Sequence, residues 1–356
     1  FMRHDLEDWA TAEGVLDYPV ERVRAFSPKS LSLLEIRTER DLEVLSRIYA
    51  NSVLLGDDGP DGWGIQYARE FDMTNDSKLF IPRDKAEADG FRPDIYGRWK
   101  NDSGEVLLPL YEGRMIGQFD FSQKGWVSGK GRSAVWRDIP WNDKKIEPQF
   151  LMRFETWSDS ITSESSSSDK SRFAGLKLCF MAIGSATNQR SMISSIVSDM
   201  PCGNAVPVLQ PANQMIRAIG LAAVCNSFVF DFAFRARLGG LNLNYYVVSQ
   251  AALPPPNSIP EKLIRMTASL ALANQSYCAV WQNLRSLDPC VAIAPNKWPI
   301  TSHERLRLRC MVDAVMAVLQ GLDRADVRWV LKDCDHSLGC MSEKDFCRKL
   351  DPKGFW

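Results

Sequence analysis

The side chains in this sequence best suited to chemistry are cations and hydrogen-bond donors, not acid–base pairs or nucleophiles. Arg114 and Gln118 stand four residues apart, Asn188, Gln189 and Arg190 are consecutive, and Lys124, Lys130, Arg132 and Arg137 are interleaved with Trp126, Trp136 and Trp141. Guanidinium and carboxamide groups read base edges, because each presents a fork of donors or a donor–acceptor pair. Lysine and arginine hold phosphates, and indole rings stack on bases or wedge between them. The chemistry this set predicts is contact with nucleic acid. For Tyr111 to Asp120 the alternative is a strand whose polar residues brace the fold.

Signatures of catalysis are missing. A methyl-transfer site needs a glycine-rich loop for the methyl donor and, for amino groups, an Asn/Asp-Pro-Pro-aromatic tetrapeptide, and the chain contains neither. Ser128-Gly129-Lys130-Gly131 is not a phosphate-binding loop, since the second glycine and the Lys-Ser/Thr pair are absent at the required spacing. Pro93-Asp94 with Asp143-Lys144-Lys145 imitates a nuclease pattern only across a wide gap. Three histidines, near helix starts or chain ends, argue against a histidine-based hydrolase. Cys334, His336, Cys340 and Cys347 are soft ligands, but they lack the paired Cys-x-x-Cys of a zinc module. No catalytic residue and no metal ligand is therefore assigned.

The chain's 356 residues can hold two or three domains, and its net charge of −1 argues against an extended nucleic-acid footprint. A local basic cleft remains compatible with that value. Nine scattered cysteines fit reduced thiols in the cytoplasm. No apolar run is long enough to suggest a membrane span. The opening Phe1-Met2-Arg3-His4 and the closing Lys353-Gly354-Phe355-Trp356 suggest a fragment of something longer.

The elements that must position these groups centre on Gln214 to Gln250. Met215 to Phe232 is apolar nearly all round, which predicts one long buried helix. Its single polar stripe, Ser227, Asp231 and Arg235, recurs every four residues and predicts an internal Asp231–Arg235 ion pair. Gly239-Gly240 ends the helix, and Leu241 to Val248 reads as a strand. Leu42 to Tyr49 supplies a helical face, Gly56 to Gly64 a turn-rich loop, and Leu107 to Phe121 a strand. Asp84 to Asp89 is a surface patch, and Ser158 to Ser171 is a serine-rich surface loop. Leu176 to Ala182 is a buried strand and Thr187 to Met200 a helix. Lys262 to Leu284 forms one amphipathic helix, Thr301 to Glu304 a capping box before Leu306 to Leu319, and Leu322 to Leu331 a last helix. The fold class is α+β: a connecting segment over 1–95, a recognition domain over 96–256 with a mixed β-sheet and the long buried helix, and a C-terminal helical region over 257–356.

Three stretches carry a resemblance. Leu108-Pro109-Leu110-Tyr111-Glu112-Gly113-Arg114-Met115-Ile116-Gly117-Gln118-Phe119-Asp120 resembles a P-L-Y-E-G-K-M-I-x-Q-F-D-H-type segment of large adenine-specific DNA methyltransferases. These are the type IIG-like restriction–modification enzymes and the related phage-defence methylases of the BREX and DISARM kind. Ala186 to Ile193 resembles their S-T-N-E-R-T-x-I segment. Asn226 to Asp231, Arg235, Gly239-Gly240, Leu243 to Tyr246 and Pro254-Pro255 are similar to their N-S-x-x-x-D…R-x-K-x-G-G-x-x-L-N-[FY]-[FY] segment. Gly321-Leu322-Asp323 and Leu350 to Trp356 are also similar to that family. The chain departs at Gly117, where histidine is frequent, and at Gln189, where glutamate is.

The resemblance runs in order from about residue 20 to the end and covers the part that follows the catalytic domain. It implies a DNA target-recognition region of a larger N6-adenine methyltransferase or type II restriction–modification enzyme. Arg114, Gln118, Asn188, Gln189 and Arg190 would read bases, and Lys124, Lys130, Arg132 and Arg137 would hold phosphates. The partners it implies are double-stranded DNA, the chain's own upstream methyltransferase domain and subunits of a defence system. No cofactor is expected in this part, with S-adenosylmethionine expected for the parent enzyme. The alternative is a protein-interaction scaffold of a phage-defence complex.

Overall fold

Short runs of β-branched and aromatic residues alternate with apolar helical segments, and this gives an α+β fold. The computed structural model of the chain describes residues 16–162, 175–184, 190–211, 214–287 and 298–332. Helices α1 (Val20–Phe26) and α2 (Glu39–Ala50) open the described chain. Strands β1 (Val53–Leu54), β2 (Ile65–Ala68) and β3 (Phe80–Pro82) lead to α3 (Arg83–Ala88). Then come β4 (Arg92–Pro93), β5 (Trp99–Lys100), β6 (Val106–Pro109), β7 (Lys124–Ser128), β8 (Val135–Asp138), β9 (Phe150–Arg153) and α4 (Phe154–Thr162). The second half holds β10 (Leu176–Phe180), β11 (Ser194–Ser198), β12 (Val208–Pro211), α5 (Gln214–Cys225), α6 (Phe228–Arg235), α7 (Tyr245–Val248) and β13 (Ala252–Leu253). Helices α8 (Glu261–Ala271), α9 (Cys278–Leu287), α10 (Ser302–Leu319) and α11 (Arg324–Lys332) complete it.

Two sheets carry the architecture. One has the order β11-β10-β12-β2 and the other β3-β9-β6-β5-β4, and their ladders are antiparallel. Among the described residues parallel pairing is confined to isolated bridges, Phe71 with Gly203 and Tyr111 with Cys202. Helix α5 lies against β10, β11 and β12 and against α8, which explains why it is apolar on every side. Strand β10 is buried along its whole length. Its Lys177 is tolerated there because Glu70 accepts from Nζ at 2.6 and 2.8 Å, while Glu70 also accepts from the Cys202 amide at 2.9 Å. An unpaired ammonium at that depth would cost several kcal/mol.

Several expectations need correction. The long helix is two helices bent by 67°. Ser227 caps α6 by accepting from the Phe230 amide, and that cap forces a new helix start inside the apolar run. Leu241 to Val248 is not a strand: Asn242 makes one bridge with Ile183, and α7 follows. Of Thr187 to Met200, residues 190–193 are irregular and 194–198 are β11, because the β10 edge offers a ladder that local helix formation cannot match. Leu107 to Phe121 is extended only through Pro109. Lys262 to Leu284 breaks between α8 and α9, where Asn274 caps a short turn through the Ser276 amide. The serine-rich run starts inside α4, and residues 163–171 of it lie outside the described residues.

The boundary expected at residue 95 runs through a sheet. β2 completes the first sheet, β3 and β4 belong to the second, and β1 pairs with β13. Helix α2 is also joined to the C-terminal α11: Arg40 donates to Asp326 at 2.7 Å, and Trp329 Nε1 donates to Asp41 at 2.8 Å. The capping boxes of α2 (Thr38 with Asp41) and α10 (Thr301 with Glu304) are both formed. Among the described residues no single helix is long and apolar enough to cross a membrane; the bent α5–α6 pair reaches that composition together.

Candidate nucleic-acid interface

Strands β7 and β8 form a two-stranded hairpin, with Trp126 opposite Trp136 and a bulge between Trp126 and Ser128. Its turn depends on glycine. Gly129 has φ of 78°, and a Cβ there would lie 2.5 Å from the Ser133 carbonyl oxygen. Trp126 Nε1 donates to the Gly129 carbonyl at 3.0 Å, and Gln149 Nε2 donates to the same oxygen at 3.2 Å. The turn is thus tied to a buried indole and to the residue that precedes β9.

The hairpin sorts its cations by position. At its base Lys124 pairs with Asp138 at 3.8 Å, and Arg137 forms a two-pronged contact with Glu147 at 3.0 and 2.6 Å. At its tip Lys130 and Arg132 are exposed, and neither forms an ion pair among the described residues. Arg114 leans against this tip, its Nη1 donating to the Ala134 carbonyl at 3.3 Å from an otherwise exposed position. Val127 and Val135, 49% and 52% exposed, put apolar surface beside the charges. Next to Arg114, burial pushes the Glu112 carboxyl up to about 7, against the pull of the Arg114 guanidinium.

Other candidates are turned inward. Gln118 donates from Nε2 to the Asn226 carbonyl at 2.8 Å and accepts from Arg309 Nη1 at 3.2 Å, so both ends of its amide are occupied. Arg190 is 5% exposed, with its guanidinium 3.3 Å from the centroid of the Phe228 ring. Asn188 and Gln189 lie outside the described residues. Cys334, His336, Cys340 and Cys347 lie outside them too. The Asp231–Arg235 ion pair is formed at 2.7 Å, and Asp231 also accepts from the Ser191 amide and hydroxyl, each at 2.6 Å. Of the nine contact residues expected, the fold brings Arg114, Lys130 and Arg132 together at one tip, with Lys124 and Arg137 paired at its base.

The segment Tyr111 to Asp120 is a hub of bracing contacts rather than a strand. The Phe119 amide donates to the Ser194 carbonyl at 3.1 Å, and the Phe119 carbonyl accepts from Arg305 at 3.2 Å. Asp120 accepts from Lys144 at 2.8 Å. Gly117 sits where the Gln123 side chain leaves no room, since a Cβ would meet its Oε1 at 2.4 Å. Arg305 and Arg309 carry no signal of this role in the sequence, because their partners Phe119 and Gln118 lie far away in the chain.

No protein-family model matches this chain, and no curated protein matches it. The arrangement itself offers a cationic hairpin tip of three side chains, flanked by valines. Such a tip can hold phosphates and enter a groove. Among the described residues no group of three or more His, Cys, Asp or Glu side chains is gathered to hold a metal.

Proposed function

We propose that this chain is the DNA target-recognition region of a larger N6-adenine DNA methyltransferase of the restriction–modification or phage-defence type, acting in the cytoplasm. The observation that carries the reading is the hairpin tip: Lys130 and Arg132, without ion pairs among the described residues, are joined by Arg114 through Ala134, while the cations at the hairpin base are neutralised. Exposed cations at a hairpin turn suit phosphate contact. The three family-like stretches meet in space, which also supports it: Gln118 contacts Asn226, and Ser191 contacts Asp231. In this reading the upstream domain of the parent supplies the methyl-transfer chemistry and binds S-adenosylmethionine. Base reading falls to Arg114 and to the segment holding Asn188 and Gln189, whereas Gln118 and Arg190 hold that segment's surroundings in place.

Duplex binding by fluorescence anisotropy at several salt concentrations tests the reading. About three to five phosphate contacts give a log–log slope of roughly −3 to −4. Absence of salt-sensitive binding to any duplex, with the protein folded, would sink it. A second reading, docking of a protein partner such as the parent's own catalytic domain or a defence-system subunit, is favoured by one patch. Leu31, Leu33 and Tyr246 are exposed, and Ser32 Oγ lies 3.5 Å from the Tyr246 hydroxyl, so the two segments adjoin.

A further inference from the structure

Two thiols meet in the core, and no contact described above uses their sulfurs. Cys179 on β10 and Cys202 on the link between β11 and β12 are both fully buried, with their Sγ atoms 3.5 Å apart. Apart from Cys179, the Cys202 thiol has as an acceptor the Met200 carbonyl, at 3.8 Å.

The main chain on each side of this contact is fixed. The Cys202 amide donates to Glu70 at 2.9 Å, and its carbonyl accepts from the Phe71 amide at 3.2 Å. Next to it the Pro201 carbonyl accepts from the Tyr111 amide and the Gly203 amide donates to the Tyr111 carbonyl, each at 2.9 Å. Cys179 is held in the β10 ladders, opposite Ser195 of β11 and Val208 of β12. The sulfurs thus face each other because both backbones are anchored. A disulfide needs them at about 2.0 Å, an approach of roughly 1.5 Å that rotation of the two short side chains can supply.

We propose that Cys179 and Cys202 form a reversible disulfide when the chain meets a hydroperoxide, and that the bond locks β10 to the β11–β12 link. One sulfur attacks the peroxide as its thiolate: an S–O bond forms, the O–O bond breaks, and the departing oxygen takes up a proton and leaves as water. The second sulfur then displaces the sulfenic oxygen: the S–S bond forms, the S–O bond breaks, and a second water leaves. The two thiols lose two electrons and two protons, and the peroxide gains them. A dithiol reverses the bond by exchange.

Burial holds the Cys202 thiol well above its ordinary range, and the Cys179 contact acts in the same direction, so the closed fold reacts slowly. Reaction passes through local opening of the link, whose exposed Ala205 lies close to Cys202 in the chain. Once formed, the bond closes a covalent loop between positions 23 apart, which carries β11 and Ser191, the partner of Asp231. Such a cross-link restricts the unfolded chain and so favours the folded one. None of this chemistry depends on DNA.

The test exposes the reduced full chain to hydrogen peroxide, alkylates the remaining thiols in denaturant and maps the digest by mass spectrometry without reduction. A peptide pair linking Cys179 to Cys202, lighter by two hydrogens than the two thiol peptides together, is expected as the main disulfide product. A dithiol reductant should remove it. The oxidised chain should unfold at higher urea than the reduced one, and Cys179→Ala and Cys202→Ala should each abolish both the link and that shift. The wild-type map decides the matter even where a variant fails to fold. Recovery of Cys179 and Cys202 as unlinked residues, their linkage to other cysteines, or a link that forms only when oxidation is carried out in urea would overturn the proposal. A linked chain with an unchanged urea midpoint would overturn the lock.

Discussion

Gln118 Nε2 donates to the main-chain carbonyl of Asn226 at 2.8 Å, joining two segments 108 residues apart. Asn226 ends the α5 helix region, and its own side chain donates to the Ala222 carbonyl at 2.9 Å and accepts from the Ser194 amide at 3.4 Å. A side chain of a type suited to reading adenine is therefore committed to holding β11, α5 and the Phe119 turn together. Its loss should be felt by the fold before it is felt by DNA.

Gln118→Ala leaves the Asn226 carbonyl and the Arg309 guanidinium short of a partner, so it should destabilise by roughly 1–3 kcal/mol. Urea unfolding measures this. Binding to a cognate and to a random duplex, corrected for the folded fraction, should then fall alike. A loss confined to the cognate site would return Gln118 to base reading.

Lys130→Ala and Arg132→Ala should each weaken binding to all duplexes and reduce the magnitude of the salt slope by about one. Both positions are exposed and without ion pairs among the described residues. Stability should change by no more than about 0.5 kcal/mol. An unchanged slope for both variants would remove the hairpin tip from the interface.

Lys177→Met removes the cation that pairs with the buried Glu70 carboxylate and should cost about 3–5 kcal/mol. Adding Glu70→Gln removes the buried charge and keeps an acceptor for the Cys202 amide, so the double variant should recover most of that loss. Thermal or urea unfolding of the single and double variants decides it. A double variant no more stable than the single one would mean that the ion pair itself holds β10 to the Glu70 segment.

Glu112 gives a pH signature. Its folded value of about 7 lies above the ordinary 4.5, so the folded chain binds more protons than the unfolded one between those values. Its contribution is fully present below the unfolded value and is lost as pH rises through 7. Glu112→Gln should therefore gain stability over the wild type as pH rises from about 4.5 to 7, by at most about 3 kcal/mol. A stability difference that stays flat across that window would contradict the burial of this carboxyl.

By itself the sequence determined what depends on near neighbours. The Thr301 capping box, the apolar β10 strand, the helix through Leu319 and the Asp231–Arg235 pair all rest on spacings of a few residues. The split at Ser227 was local as well, but an apolar run on both sides of the cap concealed it. Only tertiary structure decided which polar residues face water. Arg114 and Arg190 are the same residue type in comparable company, yet one leans on an exposed hairpin and the other lies over Phe228. The difference is made by partners far along the chain, because burial and pairing of a charged group are set by what the fold packs around it. The same cause put β11 where a helix was expected: a free edge on β10 supplied backbone partners that no local pattern announces.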